Sequence, residues 1–176
     1  MSELRTRTRP GEFDPLDWVL EHWQAGDRPD AEHFLAASAL FRTYQAVSGR
    51  WDEVLKRFEL TRTGYLLLTT LFLSRDNARP LGYLSRHLMV HPTTITLAVD
   101  QLEQRRLVAR SAHPTDRRTT VVQLTQPGHE VADRATEALA AASFGLTVPR
   151  EMAIELVDLL RGVRREIGDI PPSSPD

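Results

Sequence analysis

The sequence predicts a mainly α-helical chain that carries one small β-hairpin. Apolar residues recur at helical spacing over most of its 176 residues. Two short runs, 107–110 and 119–124, the second rich in β-branched residues, flank a polar turn containing Pro114. The hairpin directly follows two helices separated by Val90-His91-Pro92. At 41% hydrophobic and 26% charged, the chain can build one good globular core.

Phe13, Leu16, Val19, Leu20 and Trp23 form a first apolar stripe, with Asp14 as candidate cap, and the run from Gly26 to Asp30 breaks it. Phe34, Ala37, Leu40, Phe41, Tyr44, Val47, Trp51, Val54 and Phe58 keep the helical period from about 31 to 58, longer than one small domain needs for its own core. A helix over 61–74 turns Tyr65, Leu68, Leu71 and Phe72 inward, and 75–80 reads as a polar loop. Leu81, Leu84, Leu88 and Val90 give a further helix that stops before Pro92, because proline disfavours the α conformation at His91 and has no N–H to continue a helix. The next helix has Pro92 in its first turn and turns Ile95, Val99 and Leu102 inward, with Leu107 beyond them. Thr93, Thr94, Thr96, Leu97 and Gln101 then lie on its other faces. Beyond residues 125–128 an alanine-rich helix runs through Ala142, interrupted near Gly145 and Pro149. Ala153, Leu156, Val157, Leu160, Val163 and Ile167 stripe a last one. The expected organisation is a flexible tail at 1–12, helices over 13–60, a compact module over 61–127, helices over 128–168 and a disordered tail at 169–176.

Charge is concentrated in the hairpin. Between residues 105 and 118, five arginines (Arg105, Arg106, Arg110, Arg117 and Arg118) face one acid, Asp116, a local balance of +4 in a chain of net −2. A narrow minor groove attracts inserted arginine, and phosphates bind arginine whatever the base sequence. Arg110, Arg117 and Arg118 are therefore candidate DNA contacts. Arg105 and Arg106 sit at a helix C-terminus, where cations are stabilising with or without nucleic acid.

The run 81–96, then Val99-Asp100-Gln101-Leu102-Glu103, Arg106-Leu107-Val108, Asp116-Arg117-Arg118, Val122-Gln123-Leu124-Thr125 and Gly128, resembles the MarR family of bacterial transcription regulators. The resemblance implies a winged helix-turn-helix on 61–127, with dimerisation helices on 13–60 and 128–168. It implies a homodimer that lays the helix after Pro92 in the major groove and the wing in the adjacent minor groove of double-stranded DNA. Thr93, Thr94 and Thr96 match base and backbone contact positions, Arg117 matches the wing-tip arginine, and Asp116 with Arg118 matches a pair that braces the wing. Leu97 stands where many members have arginine or asparagine, although leucine can still touch a thymine methyl. Arg106 stands where glycine is common, so a different backbone turn is expected there. Helices near 14–24, 31–58, 129–144 and 150–167 would form or surround the dimer interface, and a two-fold dimer matches a pseudopalindromic operator with half-sites roughly 10 base pairs apart. The resemblance further implies a ligand-responsive repressor and a small aromatic or anionic effector, with Trp23, Phe41, Tyr44, Tyr65 and Phe72 as candidate lining. Aromatic residues at helical spacing are more often core than pocket lining. A urate-binding subgroup has an aspartate and an arginine where this chain has Leu66 and Leu97, which argues against urate.

Without cysteine, disulfide, zinc-finger and thiol-redox chemistry are excluded. The six histidines show no ligand pair within one helix, so no metal site is expected. No phosphate loop, nucleophile elbow or His-Glu-x-x-His motif is present, so an enzyme is not expected. No window reaches the apolar length of a membrane span, and Arg5, Arg7 and Arg9 precede no apolar segment, so a cytoplasmic protein is expected. Two other classes stay open: a winged-helix protein-interaction module that does not touch DNA, and a small helical hydrolase.

Overall fold

The computed structural model describes residues 13–113, 115, 116 and 118–170, so the tail expected at 1–12, most of that expected at 169–176, and Pro114 and Arg117 in the hairpin turn lie outside the described residues. Within them the order is α1 (Pro15–Ala25), α2 (Ala31–Leu55), a 3-10 turn (Lys56–Phe58), α3 (Arg62–Phe72), β1 (Ala78–Pro80), α4 (Leu81–His87), α5 (Pro92–Gln104), β2 (Val108–Ala112), β3 (Thr120–Leu124), α6 (Gln126–Ala141), a second 3-10 turn (Ser143–Gly145) and α7 (Arg150–Glu166). The chain divides between Arg50 and Trp51 into two compact units.

In the first unit Asp14 caps α1 by accepting a 2.9 Å hydrogen bond from the Leu16 N–H, and Pro15 occupies the first turn, where no N–H is needed. The turn into α2 is held by aromatic packing: the Trp23 ring stacks on Phe34 at 3.8 Å, and its Nε1–H donates to the Pro29 carbonyl at 3.0 Å. Leu20 is buried, whereas Leu40, Phe41 and Tyr44 stand exposed along α2.

The second unit surrounds one core in which Leu55, Leu67, Leu68, Leu71, Leu84, Ile95, Val99, Val108, Val122 and Leu139 are fully buried. Burying such a side chain stabilises by roughly 1.5–3 kcal/mol. Ala132 and Ala135 of α6 are also buried, and α6 packs on α3. Tyr65 on α3 donates its hydroxyl to Thr136 Oγ1 at 3.1 Å, since that oxygen already donates to the Ala132 carbonyl.

Three elements differ from the sequence expectation. Residues 78–80, read as loop, form strand β1, which pairs antiparallel with Val121 to Gln123, so the hairpin becomes a three-stranded sheet ordered β1-β3-β2. Such a short segment shows no alternation, and Pro80 occupies its end, where proline is tolerated. Helix α4 ends at His87 rather than Val90. There Met89 adopts φ 52°, and the Met89 and Val90 N–H groups return to the Arg86 and Ser85 carbonyls. This Schellman closure ends the helix before Pro92 acts. Helix α6 begins at Gln126, earlier than expected, because Thr125 caps it and Pro127 fits its first turn.

Asp169 and Ile170, placed by sequence in the tail, fold back so that both N–H groups donate to the Arg164 carbonyl. No residue of α7 is buried.

Candidate nucleic-acid interface

Helix α5 is held by its inner face and open on its outer one. Ile95, Ala98, Val99 and Leu102 are buried, whereas Thr93, Thr94, Thr96, Leu97 and Gln101 are exposed. Its start is set by His91, whose Nδ1 accepts from the Thr93 N–H at 3.3 Å, while the Ser85 hydroxyl fixes the preceding turn through the Val90 carbonyl at 2.7 Å. Sequence reasoning missed this cap because histidine is not among the residues preferred there. Thr96 Oγ1 donates back to the Pro92 carbonyl at 3.0 Å. The Thr93 and Thr94 hydroxyls have no hydrogen-bond partner among the described residues, and Leu97 is 57% exposed. The outer face thus offers two unengaged hydroxyls, one carboxamide and one apolar side chain, the types that meet base edges and thymine methyls.

The hairpin leaves α5 through a left-handed residue. Arg106 has φ 59°, its N–H donates to the Glu103 carbonyl and the Leu107 N–H to that of Leu102. The expectation of a different turn at Arg106 is corrected: arginine adopts the left-handed conformation glycine favours, held by the helix-closing bonds and by Thr125 Oγ1, which donates to the Arg106 carbonyl at 2.7 Å.

β2 and β3 pair from Val108↔Leu124 to Ala112↔Thr120, and the His113 N–H donates to the Thr119 carbonyl to close the turn. At the tip, Asp116 accepts from the Arg118 N–H at 3.0 Å and from Thr119 Oγ1 at 2.7 Å. The Thr119 hydroxyl first, then the Arg118 N–H, holds the Asp116 carboxyl below its usual range. Asp116 and Arg118 thus meet through the Arg118 backbone, which leaves the exposed Arg118 guanidinium outside that contact. Arg117 lies outside the described residues.

Two arginines of the basic cluster are engaged within the fold. Arg105 donates to the Glu59 and Phe58 carbonyls at 2.6 and 3.0 Å. Arg110 donates to Asp100 and Glu103, both at 2.6 Å. The +4 balance counted from residue 105 therefore overstates the charge open to a ligand, because Glu59, Asp100 and Glu103 fall outside that window. Between α4 and α5 lies an open cleft of about 210 Å³, bordered by Leu81, Ser85, Arg86, Pro92, Ile95 and Thr96.

The aromatic candidates are dispersed in role. Trp23 stacks within the first unit, Phe41 and Tyr44 are exposed on α2, Tyr65 is buried against Trp51 at 5.6 Å, and Phe72 is partly buried with its ring 4.3 Å from that of His129. Among the described residues no His, Asp or Glu cluster is placed to hold a metal, and no helix is long and apolar enough to cross a membrane.

This geometry is shared with known proteins. The MarR family profile matches residues 60–120. The chain is 33% identical to the solved structure of Sco5413, a MarR family transcriptional regulator from Streptomyces coelicolor, with a TM-score of 0.73 over 80% of this chain and 98% of that one. The chain belongs to the MarR family. Members of the MarR family are transcriptional regulators rather than enzymes. MhqR, an HTH-type transcriptional regulator of Bacillus subtilis, is 33% identical over 89 residues, 51% of this MarR family chain and 60% of MhqR, so less than two thirds of that relative is spanned. The MarR regulator Sco3205 of Streptomyces coelicolor, solved in complex with DNA, is 24% identical with a TM-score of 0.67 over 84% of this chain and 92% of that one, a likeness of fold.

Proposed function

We propose that this chain is a sequence-specific DNA-binding repressor that acts in the cytoplasm as a homodimer on a pseudopalindromic operator and responds to a small aromatic or anionic effector. The observation that carries the reading is α5 itself: its buried stripe is locked into the core, while Thr93, Thr94, Leu97 and Gln101 face outward beside a hairpin whose tip carries Arg118. A rigid helix with an uncommitted polar face is what direct reading of a major groove requires. With Arg105 and Arg110 engaged internally, this face supports DNA binding better than the gross charge count does.

The dimer reading is supported by α7, on which Met152, Ile154, Val157, Leu159 and Val163 are all exposed, as is Ile167 at its C-cap. A helix with so much exposed apolar surface calls for a partner. Repression follows most simply from occupancy, because a dimer over promoter DNA blocks polymerase without another contact. The effector reading draws on proteins of this fold such as BpsR of Bordetella bronchiseptica, whose DNA binding is regulated by 6-hydroxynicotinic acid. On binding such an effector, the dimer would shift toward a spacing of its two recognition helices that no longer matches the half-sites.

The test is a nuclease footprint of the DNA upstream of the gene, with light scattering on the same sample. The reading predicts a dimer that protects a two-fold symmetric site with half-sites roughly 10 base pairs apart. A monomer, or no protected region at any concentration, contradicts it.

A further inference from the structure

Arg110 lies on β2 where alternation decides its direction: Val108 is buried, Ala109 and Ser111 are exposed, and Arg110 falls on the inward face with Val108. On α5, Thr96, Asp100 and Glu103 fall at i, i+4 and i+7, one stripe beside the buried Ile95, Val99 and Leu102. The guanidinium spans that stripe. Its Nη1 donates to Glu103 Oε2 at 2.6 Å, its Nη2 to Asp100 Oδ1 at 2.6 Å and to the Thr96 carbonyl at 3.3 Å. Glu103 Oε1 also accepts the Arg110 backbone N–H at 3.1 Å, so that carboxylate binds both the strand and its side chain.

Resting on the proposed DNA-binding function, we propose that Arg110 is a positioning residue that locks the wing to α5 and thereby sets operator preference, rather than a DNA contact. Charge decides between the two roles. One guanidinium against two carboxylates leaves the cluster at net −1, so a phosphate brought to Arg110 would meet repulsion. Burial works against the charge on Arg110, but the hydrogen bonds and charges of Asp100 and Glu103 outweigh it and raise its pKa further. Geometry agrees, because three acceptors at different angles suit a planar fork, whereas a lysine ammonium on a single stem cannot reproduce that arrangement. Wing angle and helix position are then one rigid unit, and the wing reaches its groove only when α5 sits correctly in the neighbouring one.

The test uses full-length protein, Arg110→Ala, Arg110→Lys and the double variant Asp100→Asn with Glu103→Gln, which keeps the arginine. Without DNA, amide hydrogen exchange over residues 108–112 and 120–124 should quicken roughly tenfold in each variant, with α6 unchanged; wild-type protection in the sheet overturns the clamp. With DNA, anisotropy across salt on the upstream duplex and on a scrambled one should show operator preference falling roughly tenfold, the scale of one lost base contact. Arg110→Lys should lose as much preference as Arg110→Ala, and both should keep the wild-type salt slope. Rescue by lysine, or a slope shallower by about 0.9 in Arg110→Ala, is the signature of a phosphate contact and overturns the proposal. Should the Arg110 variants unfold, the double variant decides alone, its loss of preference supporting the clamp and its retention refuting it. If wild-type protein prefers no duplex, the DNA-binding reading fails, and the exchange experiment still decides the clamp.

Discussion

A β-carbon placed on Gly128 would lie 1.9 Å from the carbonyl oxygen of Leu107. Helix α6 begins where the chain enters the wing, and Thr125 joins the two by accepting the Gly128 N–H at 3.1 Å while donating to the Arg106 carbonyl at 2.7 Å. The side that would move is backbone, so no rotamer change can relieve the overlap. Gly128→Ala is expected to destabilise the second unit by about 3 kcal/mol or more, as overpacking against rigid backbone does. Urea denaturation checks it, and a loss below about 0.5 kcal/mol would mean that α6 starts elsewhere.

Arg106 holds φ 59° at the closing turn of α5. A left-handed conformation costs a non-glycine residue about 1–2 kcal/mol, and glycine returns part of that through its larger unfolded-state entropy. Arg106→Gly should therefore stabilise by about 0.5–1 kcal/mol, read as a higher thermal midpoint at constant pH. A lower midpoint would show that the Arg106 side chain contributes more than its backbone costs.

Thr94 is exposed and its hydroxyl is unengaged among the described residues. Thr94→Ala is expected to weaken operator binding by about 1 kcal/mol, roughly fivefold, with little effect on scrambled DNA. Competition binding checks it, and an equal loss on both duplexes would make Thr94 a backbone contact.

Asp116 titrates below the ordinary value of 3.8 because its folded carboxylate accepts the Thr119 hydroxyl and the Arg118 N–H. A folded pKa below the unfolded one gives stability that is full above 3.8 and lost as the pH falls through the folded value. The Arg118 amide resonance should thus titrate with a midpoint below 3.8, and should lose that titration in Asp116→Asn. A midpoint at or above 3.8 would show that the Asp116 carboxylate does not brace the turn.

The helical period made α1 to α7 legible, because stripes such as Ile95, Val99 and Leu102 follow directly from which faces are buried. What escaped it lacked a period or depended on neighbours in space. β1 is too short to alternate, and Met89 ends α4 in a left-handed turn that no glycine announces. A basic window that opens at residue 105 counts Arg110 with the free charges, because Asp100 and Glu103 lie before it. Alternation from Val108 places Arg110 on the inward face, yet naming its partners required the strand to be docked on α5. Thr93, Thr94 and Leu97 were legible as an outward face because the helix inner stripe excludes them.

The proposed function requires α5 and the wing to read a particular DNA sequence. Fluorescence anisotropy of the wild-type protein on its own upstream intergenic duplex and on a scrambled duplex, across salt concentrations, tests it most directly. A sequence-reading α5 and wing give tight, preferential binding to the upstream duplex, with an affinity that falls steeply as salt rises. Equal and weak binding to both duplexes at every salt concentration would contradict it.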